Sequence, residues 1–341
     1  MNTLVSDSAS IQAHGDGGPW FLFVAYLLAL VVPPLWVFSL TPSPTLFNQL
    51  WALWGWGLVL LVHRCVPPMG ARRYPVLTLN LALGLVCFAI LGSWTLGSLP
   101  TSLAMPPLGC VIVAAGCASL GARVAASAAP EGEGRQAFAP FAVGLVLAGV
   151  LSALVSVIQY FAPDSSDGYW VAVSSLPGRA VGNLRQPNHL ASLLIWGVIA
   201  VVPLAEWKWV PRWLAGALGA FMLFGVLLSG SRTGLYAGVA LLVAWGLAEQ
   251  LLAMTHRKEG RLARPMRWML ILAPVAVAAM WWGLALQAEH AHHVFGAKER
   301  LAEHDLTSSH GAIWRNTLAM IAQQPWRGVG WGQFNFAWTL T

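Results

Sequence analysis

The chain runs to 341 residues, 57% of them hydrophobic and only 9% charged, with a formal net charge of +6. A mean hydropathy of +0.65 excludes an ordinary soluble domain and marks an integral membrane protein. The basic residues are scattered over short loops and form no stripe interleaved with stacking aromatics, so the charge does not argue for nucleic acid.

The N-terminal tail carries Asp7 and Asp16 but no Lys or Arg, so it lacks the basic start of a signal peptide and is expected to stay attached. A helix that crosses a bilayer needs roughly 20 mostly apolar residues. About nine stretches meet that need: 20–40, 46–62, 76–97, 103–121, 140–161, 189–204, 213–229, 234–253 and 268–286. The expected fold is all-α, a polytopic helix bundle over 1–287 followed by an extramembrane segment over 288–341. Trp20, Trp170, Trp207, Trp209, Trp213 and Trp268 fall at the expected helix ends, where an indole rests at headgroup level. Cys87, Cys110 and Cys117 lie inside helices and form no CxxC pair with Cys65, so the cysteines are read as packing residues. In the last segment Trp314, Leu318 and Ile321 recur at i, i+4 and i+7. Ser308 or Ser309 can cap the start, and Pro325 with Gly328 ends the run. That pattern predicts an amphipathic helix, either lying at the interface or roofing a cavity.

Alternate loops are basic. Arg64, Arg72 and Arg73, then Arg123 and Arg135, Lys208 and Arg212, and Arg257, Lys258, Arg261, Arg264 and Arg267 share one side, while 41–45 and 98–102 have no Lys or Arg. The positive-inside rule therefore puts the N-terminus and these loops in the cytoplasm. Seven basic residues are left on the outer side: Arg179, Arg185, Arg232, Lys298, Arg300, Arg315 and Arg327. Any one of them can snorkel to lipid phosphates. Arg179 and Arg185 precede the span 189–204, however, and Arg232 lies in the turn between 213–229 and 234–253, so three guanidinium groups share one level. Their planar forks match phosphate oxygens, and their charge is permanent. The ligand they imply is a phosphate or pyrophosphate on a long lipid whose tail runs between helices. Gly178, Gly182, Gly230 and Gly234 allow close backbone approach or positive φ. Pro187 bends the chain and Asn188 is expected to cap the next helix, leaving Gln186, Asn188 and His189 at a helix N-terminus that favours anions.

“GNLRQPNHLA” (182–191), “SGSRTG” (229–234) and “IWRNTLAMIAQQPWRGVGWGQFNFAWTLT” (313–341) together resemble the bacterial O-antigen ligase and O-linked protein oligosaccharyltransferase family, which is related to the O-antigen polymerases. The first block looks most like the protein glycosylation ligase branch. The resemblance covers roughly residues 140–341 and implies a GT-C-like, metal-independent glycosyltransferase of the bacterial inner membrane, without a cofactor and active at the periplasmic face. It implies transfer of an oligosaccharide from undecaprenyl pyrophosphate to a hydroxyl. The acceptor is a Ser or Thr of pilin-like proteins in one branch, the lipid A core in the ligases, and another repeat unit in the polymerases. Arg185 and Arg232, which match the motif arginines, would then hold the pyrophosphate and stabilise its charge as it leaves. One such electrostatic contact is commonly worth on the order of 3 kcal/mol.

The resemblance places the general base, a histidine in an “HTHN”-like segment, beyond Thr341, and so implies that residues 1–341 alone lack full activity. It also calls for an arginine where His310 stands. Arg315, five residues on, is about 140° further round a helix at about 100° per residue. His310 and Arg315 are the outer segment's candidate ligands. “EHAHH” (289–293) is read as a solvated helix end in preference to a metal site, and Asp164 and Asp167 in “PDSSDGYW” as an exposed turn in preference to an acid–base pair. A transporter of lipid-linked glycan or polysaccharide, the rival class, would bury ionisable residues at mid-membrane. Here the thirteen Asp and Glu fall in loops or at helix ends, Glu249 coming nearest to an exception, and no GxxxxGK[ST] loop is present.

Overall fold

The computed structural model describes residues 18–39, 45–65, 76–127, 133–255, 261–291, 294–302, 309–325 and 328–339. Asp7, Asp16, Arg72, Arg73, Arg257, Lys258, His292, His293, Ser308 and Arg327 lie outside them, as do the side chains of Arg64, Arg135, Arg300 and His310.

Among the described residues the chain is predominantly helical and has no strand. In chain order the helices are α1 Gly18–Leu30, α2 Val32–Leu35, α3 Leu46–Cys65, α4 Leu77–Thr95, α5 Thr101–Ser127, α6 Glu133–Phe161, α7 Pro187–Glu206, α8 Arg212–Ser229, α9 Val239–Thr255, α10 Arg264–Ile271, α11 Ala273–Ala291, α12 Gly296–Ala302, α13 Ser309–Gln323 and α14 Phe334–Thr339. Seven of these spans are long and apolar enough to cross a membrane, and α10 with α11 makes an eighth when taken as one bent span. This is a multi-pass membrane protein. Within such spans the helix satisfies the backbone polar groups of its interior, as hydrocarbon requires.

The first expected span, 20–40, is shorter than its hydropathy suggested. Pro33 and Pro34 stand in α2, and after Leu35 the chain runs without helix over 36–39. Asn48 donates to the carbonyls of Pro33 (2.7 Å) and Trp36 (3.0 Å), satisfying a helix end. The last expected span, 268–286, is two helices bent by 50° at Leu272. Pro274 at the second position of α11 has no N–H to continue the ladder, which accounts for the break.

The main core lies between α6, α7, α8 and α9, with Leu190, Leu194, Val198, Val201, Met222, Leu227 and Leu242 all buried. Small residues bring the helices close. A β-carbon on Gly149 or Gly197 would lie 2.7 or 2.5 Å from Met222 Sδ, and one on Gly225 would lie 2.8 Å from Leu194 Cδ1. Such small-residue contacts suit an interface whose surroundings are as apolar as itself. A second cluster joins α1, α3 and α5 around Tyr26, Ala29 and Val59. The α4 and α5 helices are otherwise barely covered, and Leu81, Leu85, Phe88 and Ile112 face outward. Cys110 is exposed on this surface, so the packing role expected for it does not hold.

On α13 the stripe of Trp314, Leu318 and Ile321 points away from the protein, while Met320 is buried. The helix has the expected span, from Ser309 to Gln323. Its apolar face is free to rest on a bilayer surface.

Gly55 tests the packing of α1. A β-carbon there would lie 2.6 Å from Ala29 Cα, a backbone atom that cannot turn aside. Gly55→Val should destabilise the protein by about 2 kcal/mol through overpacking. The readout is the melting temperature in detergent, and an unchanged melting temperature would contradict the α1–α3 contact.

Candidate functional site

Helices α6, α7, α8 and α11 end or begin in irregular chain at one end of the bundle, and that is where the motif residues meet. The segment 162–186 leaves α6 and returns to α7. Its first turn is built by Asp167, whose Oδ1 accepts from the N–H groups of Trp170 (2.8 Å), Tyr169 (2.9 Å) and Val171 (3.1 Å). These bonds, that from Trp170 foremost, hold the Asp167 carboxyl below the ordinary carboxylate range. Asp167 is a turn former, consistent with the reading of “PDSSDGYW” as an exposed turn.

The second turn is braced by two buried amides. Gln159 near the end of α6 accepts from the N–H groups of Gly182 (2.8 Å) and Val181 (3.0 Å) and donates to Ala172 O (2.6 Å). Asn183 accepts from Ala172 N (2.9 Å) and donates to Leu35 O and Trp170 O, both at 2.9 Å. Arg185, next but one, has a φ of +56°. The left-handed region costs a residue with a β-carbon about 1–2 kcal/mol. The Arg185 guanidinium donates to Val37 O at 2.5 Å, which ties the motif to the chain just beyond α2.

The cap of α7 is Gln186, not Asn188 as the sequence suggested. Gln186 has extended backbone and its Oε1 accepts from His189 N (2.7 Å), while Pro187 takes the first helical position. Pro187 has no N–H to leave unbonded there, so the helix starts two residues earlier than expected. Asn188 is released for another bond: its Oδ1 accepts from Ser231 Oγ at 2.7 Å. This bond joins the 182–191 block to the 229–234 block. It puts Arg232, the residue after Ser231, beside the α7 N-terminus with its positive end of the helix dipole. Arg232 is half-buried, and Asn188 and His189 are exposed. After Arg232 the chain makes a π-helical turn, Thr233–Gly238, before α9. Gly234 serves packing rather than turn geometry: a β-carbon on it would lie 2.6 Å from Ala191 Cβ.

Arg179 takes a different part. Its Nε donates to Ser229 O (3.0 Å) and one terminal nitrogen to Gly230 O (3.4 Å), so it caps the C-terminus of α8, where a cation also complements the helix dipole. Gly230 closes that helix with φ +59°. Ala180 N donates to Leu228 O (2.9 Å), and Gly296 N to Gly178 O (3.1 Å). A β-carbon on Gly178, at φ +64°, would lie 2.2 Å from Val294 O. Three chain segments thus cross at Arg179.

Of the candidates drawn from the sequence, Arg185, Gln186, Asn188 and His189 lie at the start of α7, the Asn188–Ser231 bond brings the turn that carries Arg232 against it, and Arg179 stands at the α8 cap. Arg315 is exposed on α13, and the bonds that unite the two turns do not involve it. Gln159, Asn183 and Ser231 were not singled out from the sequence. Gln159 left a signal there, as a lone amide in the apolar run “VLSALVSVIQYF”. Elsewhere at this end, Ser93 Oγ accepts from Trp331 N (2.9 Å), docking the 328–333 loop on α4 beside a cavity of about 910 Å³ that Phe88, Gly92 and Gln333 help to line.

Residues 180–204 match the family described as protein glycosylation ligase, and residues 217–339 match the family described as O-antigen ligase. In its second half the chain is similar to the O-antigen ligases and the protein glycosylation ligases. Each match supplies one partner of the bond between Asn188 and Ser231. A protein named general O-oligosaccharyltransferase from Acinetobacter baylyi is 24% identical over 194 residues, which is 57% of this chain and 33% of that relative. The ligase-like chain therefore spans about a third of the length of the curated relative it matches. No solved structure matches it.

Two outcomes follow for these turns. Arg179→Ala should lower stability by about 2 kcal/mol, the worth of hydrogen bonds from a charged donor, and Arg179→Lys should recover part of it, as read by melting in detergent. Asp167→Ala should speed chymotryptic cleavage at Tyr169 and Trp170 at neutral pH. Because the folded carboxyl titrates below its ordinary value of 3.8, the turn's support is complete above that value and is lost as the pH falls through the lower one.

Proposed function

We propose that this chain belongs to an enzyme that moves an oligosaccharide from undecaprenyl pyrophosphate to a hydroxyl group, with Arg185 and Arg232 holding the diphosphate. The observation that carries the reading is the hydrogen bond between Asn188 and Ser231, which sets two arginine-bearing turns side by side at the N-terminus of α7. Gln186, Asn188 and His189 complete that helix start, and we assign them to the same anionic group. Arg315 and His310, on the outer segment, stand as ligands for the remainder of the donor. Arg179 supports the site from the α8 cap.

The opposite end of the bundle carries Arg123, Lys208, Arg212, Arg261, Arg264 and Arg267. By the positive-inside rule that end is cytoplasmic, which puts the site at the periplasmic face of the inner membrane and the N-terminus in the cytoplasm. On the same basis residues 1–287 form the membrane bundle and 288–341 the periplasmic segment.

In the reaction, the acceptor oxygen forms a bond to the anomeric carbon while the bond from that carbon to the phosphate oxygen breaks. The electron pair leaves with the undecaprenyl pyrophosphate, and the hydroxyl proton passes to a base. Charge builds on the departing diphosphate, and two guanidinium groups already in place stabilise it without reorganisation. Their charge does not depend on pH in the working range, so the reading requires no metal ion. The acceptor we favour is a Ser or Thr of a protein of pilin type, because the relative from Acinetobacter baylyi is named for O-linked transfer. The lipid A core is the other outcome to be scored.

Arg185→Ala and Arg232→Ala, each made in the full-length protein, should cut transfer by about two to three orders of magnitude while leaving membrane insertion intact. The check is transfer from a lipid-linked oligosaccharide to a purified acceptor protein or lipid A core in proteoliposomes. Wild-type rates in both variants would remove the diphosphate role.

A further inference from the structure

Gln159 is a buried polar side chain that the proposed reaction leaves without a task. It lies in the last turn of α6 and is 5% exposed. A carboxamide offers two N–H donors and an oxygen with two lone pairs. Gln159 uses both lone pairs on Val181 N and Gly182 N, and its Nε2 reaches Ala172 O at 2.6 Å and Gly182 O at 3.4 Å.

Ala172 couples this amide to Asn183. Its carbonyl accepts from Gln159, and its N–H donates to Asn183 Oδ1 at 2.9 Å. The two amides hold the turn from Val181 to Gln186 along its length. Within it Gly182 has φ +62° and Arg185 φ +56°, while Arg185 N donates to Gly182 O and Gln186 N to Val181 O, both at 3.2 Å. An arginine stays in the left-handed region only where its surroundings over-determine the backbone. The residues whose N–H groups Gln159 binds, Val181 and Gly182, are the ones whose carbonyls close this turn.

We propose that Gln159 is a positioning residue for donor binding: it fixes the turn that carries Arg185 and so sets where that guanidinium stands. The inference rests on the reading of Arg185 as a diphosphate ligand. Gln159 touches no substrate in this scheme and acts through the backbone of the turn.

The experiment is a double-mutant cycle in proteoliposomes, using full-length protein, an undecaprenyl-pyrophosphate-linked oligosaccharide as donor and a purified acceptor protein. Gln159→Leu keeps the side chain's size and removes every bond. It should raise the donor KM about tenfold and leave the acceptor KM within about twofold, since only one substrate depends on the turn. In an Arg185→Lys background the same change should cost less than about twofold, because residues acting through one group are not additive. A loss of equal size in both backgrounds, or equal effects on both substrates, means a merely structural amide and overturns the proposal. So does an unchanged donor KM. If Gln159→Leu does not insert, Gln159→Glu goes through the same cycle. Its carboxylate keeps an oxygen for Val181 and Gly182 but cannot donate to Ala172, and protonation at low pH should restore the donor KM. Failure to restore it counts against the proposal. A parent protein with no transfer at all would sink the functional reading and this inference with it, whereas an active parent with an unaffected variant sinks only Gln159.

Discussion

Irregular backbone can sit at the end of an apolar bundle only if its peptide groups find partners, because the surroundings offer few. In this protein two carboxamides meet that demand. Gln159 and Asn183 between them bind backbone groups of Leu35, Trp170, Ala172, Val181 and Gly182, and so join the end of α2, the 162–176 segment and the turn that leads into α7. Everything that follows in the motif depends on this brace: the left-handed Arg185, the Gln186 cap, and the reach of Asn188 to Ser231. Amides suit the task better than charged groups. They offer donor and acceptor at once and carry no net charge to desolvate.

The arginines at this end divide by what their donors meet. Arg179 is committed to the carbonyls of Ser229 and Gly230, a bond set that closes α8 and locks the crossing of three segments. Arg185 donates to Val37 O, which restrains the tip of its side chain as the αL turn restrains its root. The planar guanidinium is thereby held in a fixed orientation. A side chain restrained at both ends loses little further freedom when an anion arrives, which is how preorganised donors stabilise charge at low cost.

The bundle was largely legible in the sequence because apolar length is a strong signal in a membrane chain. Seven of the expected spans appear as single long helices, and the exceptions have local causes. Pro33 and Pro34 end the first helix early, and Pro274 bends the last; a hydropathy window counts the residues around them as apolar and does not register the missing N–H. The motif turns were legible as well, since Gly, Pro and Arg inside apolar runs stand out. What the sequence did not yield was the division of labour inside them. Asn188 and Gln186 are both plausible caps by residue type, and only the extended backbone of Gln186 decides between them. Arg179 and Arg185 look alike in a string, yet one faces a helix C-terminus fifty residues away in sequence.

The same contrast explains why Glu249 does not turn the protein into a carrier. It is a buried carboxylate near the end of α9, the feature that would suggest an ion path. Its Oε2 accepts instead from Arg261 N (2.9 Å) and Leu262 N (3.3 Å), and Arg267 donates to its carbonyl at 3.5 Å. The carboxylate closes the loop that leads into α10, and a group engaged with two backbone amides is poorly placed to relay a proton. At both ends of the bundle, then, polar side chains inside apolar helices bind the peptide groups of the adjoining loops. At one end the loop is basic and short. At the other it is longer, carries Arg185 through a left-handed turn, and meets a second arginine-bearing turn across the Asn188–Ser231 bond. That second end combines fixed backbone, a helix N-terminus and permanent positive charge, the features on which the proposed diphosphate role rests.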